Sequence, residues 1–169
     1  MDSAISAMVR LLNLKSRSER KMRTLIAIAL IALCSAFVPS GNGTCLTDFD
    51  EAKKVSGESG KMILLSFSGS DWCANCMRLE KKLFDSEEFA AFASENLVLL
   101  NADFPARSKN KLSKEQTAHN EALAEKYNKA GKFPTVLVLD AEGNVKGKLQ
   151  HPKESLSEYM GQLRSMTGS

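Results

Sequence analysis

At 169 residues the chain is long enough for one domain and a segment besides. With 43% hydrophobic and 25% charged residues it has ordinary globular composition, which excludes a disordered or low-complexity chain. The formal charge of +3 belongs to the start: from Gly41 onwards 17 Lys+Arg meet 18 Asp+Glu, a net of −1, so the domain lacks the charge of a nucleic-acid binder.

In chain order, Thr24 to Val38 (TLIAIALIALCSAFV) is an apolar run of 15 residues behind Arg20, Lys21 and Arg23. Pro39-Ser40-Gly41-Asn42-Gly43 follows it. Basic lead, short apolar core and small-residue exit predict a secretory signal peptide over about 22–40, cleaved near Ala36 or Ser40. A spanning helix wants about 20 apolar residues, so an uncleaved membrane anchor is the lesser reading. Met22 makes a more compact start than Met1, and residues 1–21 read as an upstream mis-assignment. The domain is expected over 41–169, exported to a periplasm or secreted.

Thr47 to about Ser56 predicts a helix with Thr47 as N-cap and Phe49, Ala52 and Val55 inside. Met62 to Phe67 is a strand whose continuous apolar run predicts burial on both faces. A helix follows with Cys73, Cys76, Leu79 and Leu83 on one stripe and Arg78, Lys81 and Lys82 outside. Ser86 caps a helix with Phe89, Phe92 and Ala93 inside, and Leu97 begins a strand running to about Asp103. Pro105 to Lys114 is polar and carries Arg107, Lys109, Lys111 and Lys114: a solvated insertion, or a place for partner contacts. Glu115 to about Lys129 predicts a helix with Ala118, Ala122, Leu123 and Tyr127 inside. Thr135 to Leu139 is a central strand, 140–144 a turn, and Val145 to Leu149 an edge strand. Pro152 opens a last helix with Leu156, Tyr159, Met160 and Leu163 on one face.

The chemistry is concentrated in Trp72-Cys73-Ala74-Asn75-Cys76, between the first strand and its following helix. Cysteines at i and i+3 on a first helical turn can close a small disulfide ring. Unpaired N–H groups and the helix dipole there favour the thiolate at Cys73, the nucleophile of disulfide exchange. Half of a zinc site is the competing reading, but no second Cys-x-x-Cys exists, and His119 and His151 stand far apart. Cys45 reads as an inert thiol or as a tether to a partner.

Ser70-Asp71-Trp72-Cys73-Ala74-Asn75-Cys76 and Lys132-Phe133-Pro134-Thr135-Val136-Leu137-Val138 resemble, respectively, the active-site and cis-proline segments of the thioredoxin family. The likeness spans Thr47 to Leu163 and implies an α/β thioredoxin fold, a central mixed sheet with helices on both faces. Gly69-Ser70-Asp71-Trp72 and the polar insertion resemble exported bacterial members and the C-terminal domain of the membrane thiol:disulfide interchange protein. The resemblance implies a Cys73/Cys76 dithiol–disulfide cycle, with Trp72 shielding the pair and no cofactor beyond the disulfide. It implies a cis Phe133–Pro134 bond shaping a groove where a substrate chain adds as a strand, flanked by Phe133 and Thr135. Partners would be cysteine-containing proteins and an upstream thiol donor, membrane-bound in one version, with the chain itself a monomer.

Two departures stand out. Ala74-Asn75 replaces the family's usual Gly-Pro, and Ser66 stands where a buried aspartate often assists proton transfer. Glu80, one turn beyond Cys76, is a candidate substitute base or a solvent-facing helix residue. The expected activity is thiol:disulfide oxidoreduction, as a reductase. Oxidase or isomerase action, a soft-metal binding module and a non-enzymatic adaptor are the alternatives.

Overall fold

The computed structural model describes residues 45–150 and 155–168, all within the unit Gly41–Ser169. The leader expected over 1–40 and the helix start expected at Pro152 lie outside the described residues. In chain order the elements are α1 (Phe49–Ser59), β1 (Met62–Ser68), α2 (Ala74–Leu79), a π-helical turn (Glu80–Phe84) and α3 (Glu87–Asn96). Then come β2 (Leu97–Asp103), a short 3₁₀ turn (Ser108–Asn110), α4 (Lys114–Tyr127), β3 (Thr135–Leu139), β4 (Val145–Lys148) and α5 (Leu156–Thr167).

The four strands form one mixed sheet in the order β2-β1-β3-β4. β1 pairs parallel with β2 and antiparallel with β3, and β3 pairs antiparallel with β4. Alternation along β1 divides the core. Leu64 joins Val136 and Val138 beneath Leu79, Leu83, Phe92, Tyr159, Met160 and Leu163, the layer supplied by α2, the π-turn, α3 and α5. Ile63, Leu65 and Phe67 turn the other way with Val98, Leu100, Leu137 and Leu139, onto Ala52 of α1 and Leu123 of α4. Both faces of β1 are therefore apolar because both are covered, as the unbroken run in the sequence predicts. Each of these large side chains contributes about 1.5–3 kcal/mol by leaving water.

Local chemistry sets the boundaries. Asp48, not Thr47, caps α1, its carboxylate accepting from Glu51 N–H at 2.7 Å, and the helix runs on to Ser59 before Gly60 ends it at φ 73°. Aspartate is the stronger acceptor there, and a left-handed residue is natural for glycine. Ser86 caps α3 as expected, and Ser155 caps α5 through a capping box with Glu158.

The face assigned to α4 needs correction. Ala118 and Ala122 are exposed, whereas Asn120 is 2% exposed and Leu123 5%. Asn120 is held inside because its amide donates to Asp103 O at 2.8 Å and its oxygen accepts from Gln116 at 2.8 Å. A polar residue satisfied in this way displaces alanine from the buried stripe, which hydrophobicity alone does not reveal.

Candidate active site

The site lies where β1 ends and α2 begins. Gly69 is buried against the Trp72 indole, so close that a Cβ there would overlap the ring. Trp72 and Cys73 both donate their N–H to Gly69 O, a tight turn that delivers Cys73 to the N-cap of α2. Cys73 and Cys76 are joined as a disulfide, with Cα atoms 5.2 Å apart. Both are 6% exposed. Cys73 Sγ accepts the Cys76 N–H at 3.2 Å. After reduction the same donor faces the Cys73 sulfur and favours its charged form.

Trp72, next to Cys73 in the chain, is half exposed. Its indole N–H donates to Phe104 O at 2.7 Å, and its ring meets Phe133 edge-on at 5.4 Å. Phe133 in turn meets Phe104 at 5.5 Å, so three rings form a rim that joins the Cys-x-x-Cys turn through Trp72. The Phe133–Pro134 bond is cis, as the resemblance implies. The register Phe67↔Thr135 brings the start of β3 alongside the end of β1, next to the Cys-x-x-Cys turn. Thr135 is buried, with its hydroxyl donating to Lys132 O at 2.9 Å, so its side chain is not offered to a bound chain.

Glu80 opens the π-turn, in which Asp85 N–H donates to Glu80 O, five residues back. The sequence periodicity reads straight through this widening as ordinary helix. Glu80, Ser66 and Asn101 line one cavity of about 290 Å³ with Cys45 at its side. The residue is exposed as a whole, yet burial of its carboxyl pushes its pKa up, and the charge of Asp85 adds to this. It forms no ion pair among the described residues, so the pairing with Lys81 or Lys82 that a solvent-facing helix glutamate invites is not made. Cys45 is exposed and unbonded, its thiol pKa raised by partial burial and then by Glu80, which leaves it a poor nucleophile.

Sequence reasoning missed the carboxylates that tie the site together. Asp71 accepts from Ala106 N, Arg107 N and Asn110 Nδ2 at 2.9, 3.0 and 2.9 Å. Asp103 accepts from Ser70 N at 2.9 Å and from the hydroxyls of Ser68 and Ser70 at 3.0 and 2.6 Å. Asp71 adjoins the motif, but its partners lie 35–39 positions on, where no local pattern points to them. Among the described residues no group of three or more His, Cys, Asp or Glu could hold a metal ion.

Gly69→Ala is expected to push the indole out of the rim and lower kcat/KM for a protein disulfide about tenfold, roughly 1.4 kcal/mol of transition-state stabilisation. Trp72 is the chain's sole tryptophan, so the displacement is also read by its fluorescence. An unchanged emission spectrum with unchanged kcat/KM would contradict this placement of the ring.

The Thioredoxin-like family profile matches residues 44–141, more than half the chain. The disulfide bond reductase DsbH of Chlamydia pneumoniae is 32% identical over 117 residues, 69% of each protein. A solved structure of a DsbH oxidoreductase superposes with a TM-score of 0.65 at 27% identity, covering 79% of this chain and 93% of that one. A thioredoxin from Thermus thermophilus shares the fold alone, with a TM-score of 0.54 at 15% identity over 73% of this chain and 86% of that one. With its Cys73–Cys76 pair at the head of α2 on this sheet, the chain belongs to the thioredoxin-like family and is a disulfide oxidoreductase.

Proposed function

We propose that the chain works as an exported disulfide reductase whose substrates are cysteine-containing proteins. The observation that carries this reading is the Cys73 sulfur at the helix N-cap, facing the Cys76 N–H, in a chain akin to a disulfide bond reductase. The basic and apolar leader supports export, and among the described residues no helix is long and apolar enough to cross a membrane.

In the reduced protein the Cys73 thiolate attacks one sulfur of the substrate disulfide. A Cys73–substrate bond forms, the substrate's S–S bond breaks, and the departing thiolate takes a proton. Cys76 loses its proton and attacks Cys73 Sγ, releasing the second substrate thiol and closing the Cys73–Cys76 bond. Two electrons have passed to the substrate, and an upstream dithiol must restore them. The Phe133-Pro134-Thr135 segment, beside Trp72, is where the substrate backbone docks. Glu80, one turn beyond Cys76, accepts the Cys76 proton in this reading; its backbone N–H donates to Cys76 O, and its carboxyl lines a cavity that also includes Ser66.

The reading is tested by mixing reduced protein with a disulfide-bonded substrate such as insulin. Substrate thiols should appear in step with oxidation of the pair. Faster oxidation of a reduced peptide by the disulfide form would make the protein an oxidant instead.

Glu80→Gln is expected to lower kcat about tenfold at pH 7, less than the ~10²–10⁴ of a fully engaged base because the cavity is open to solvent. Glu80 assists only when ionised and its pKa is raised, so the wild-type rate climbs at a higher pH than an ordinary glutamate would dictate. The variant should lack that limb. The stability sign is opposite: a carboxyl with a raised folded pKa gives its contribution below the unfolded pKa and loses it as pH rises through the folded one. Glu80→Gln should therefore be no less stable than wild type at neutral pH. Identical pH–rate profiles would remove Glu80 from the mechanism.

A further inference from the structure

The loop between β2 and α4 is fastened to the active-site turn, and its free face is cationic. Asp71 takes three of the loop's N–H groups, Trp72 donates to Phe104 O, and Phe104 N–H donates to Ser68 O at 2.9 Å. These bonds use the acceptor capacity of Asp71, and its pKa is lowered chiefly by the Ala106 N–H, with Asn110 and Arg107 adding. Arg107, Lys109 and Lys111 are left exposed, and none forms an ion pair among the described residues. A domain with a net charge of −1 thus holds three exposed cations that form no ion pair among the described residues, three to seven positions beyond Phe104, whose carbonyl accepts the Trp72 indole N–H. On the α4 side of Phe104 a cavity is lined by Glu121, Glu125 and Lys129, so charges of both signs stand there.

We propose that this pinned loop is a recognition surface for an acidic polypeptide segment flanking the substrate's disulfide. The inference rests on the reductase reading and adds the substrate's charge to it. A tethered backbone leaves only the Arg and Lys side chains to be ordered on binding, and exposed cations beside the active-site turn raise the encounter rate with anionic partners. Asp71 is then a positioning residue, acting through the loop it holds.

The test uses the full chain, reduced, with two synthetic peptide disulfides alike except for flanking glutamates or flanking lysines, and hydroxyethyl disulfide as an uncharged reference. Wild type should prefer the glutamate peptide in kcat/KM by about tenfold at low salt, the preference shrinking towards parity by about 0.5 M NaCl. R107Q/K109Q should reduce that ratio and R107E/K109E should invert it, each normalised to hydroxyethyl disulfide with the same protein. Comparing proteins cancels the peptides' own difference in reactivity. An equal ratio in all three proteins, with hydroxyethyl disulfide reduced normally, overturns the proposal and leaves the reductase reading intact. Failure of wild type to reduce any of the three disulfides overturns both.

Discussion

Cys73→Ser is expected to reduce disulfide-exchange turnover by about three orders of magnitude or more, the scale on which loss of a covalent nucleophile acts. The serine hydroxyl would occupy the same N-cap and accept the same Cys76 N–H, so the fold should persist while the attacking sulfur is gone. Cys76→Ser should behave differently. Cys73 can still open a substrate disulfide, but nothing on the helix releases the product, and the variant should accumulate as a mixed disulfide. Mass spectrometry after quenching by acid distinguishes the two: an adduct on Cys73 in Cys76→Ser, none in Cys73→Ser. Adducts carried by Cys76 in the Cys73→Ser variant would reverse the assigned order of attack.

The second large effect concerns stability. Phe67 is fully buried at the end of β1, among residues that include Leu137, Leu123 and Ala102. Phe67→Ala should cost about 3–5 kcal/mol, through lost transfer energy and the cavity left in a sheet held on both sides. Against a typical total of about 5–15 kcal/mol this is about a fifth or more of the stability. Val145, 52% exposed on β4, is the control: Val145→Ala should change stability by no more than about 0.5 kcal/mol. Urea denaturation followed by far-UV circular dichroism measures both. A Phe67→Ala midpoint equal to that of wild type would contradict the packing of this face.

What the sequence made legible follows from how local the signals are. Met62–Phe67 and Thr135–Leu139 are short runs of apolar residues bounded by turn formers, and the strands appear at those places. Cys73, Cys76, Leu79 and Leu83 stand at helical spacing and all four are buried. The cis bond before Pro134 came from likeness to a family, since a proline at a strand start carries no such mark by itself. The illegible parts depend on contacts distant in sequence or on polar satisfaction. Asp71 reaches across to residues 106–110, Asn120 turns inward because Asp103 offers it a carbonyl, and the π-turn at Glu80 leaves no trace in an apolar periodicity it barely disturbs. Glu80 was nameable as a candidate from its place one turn beyond Cys76. Its company in the cavity with Ser66 required the alternation along β1, which sets Leu64 and Ser66 on the face towards α2, the π-turn and α3.

The most direct test of the reductase account is the midpoint potential of the Cys73/Cys76 pair. It would be measured with Cys45→Ser by equilibration across thiol redox buffers and mass-tagging of free thiols. A reductase should show a value near that of thioredoxin, about −270 mV, at which the dithiol gives its electrons to strained or exposed disulfides of higher potential. A value near about −120 mV would make the pair a disulfide donor and contradict the reductase account.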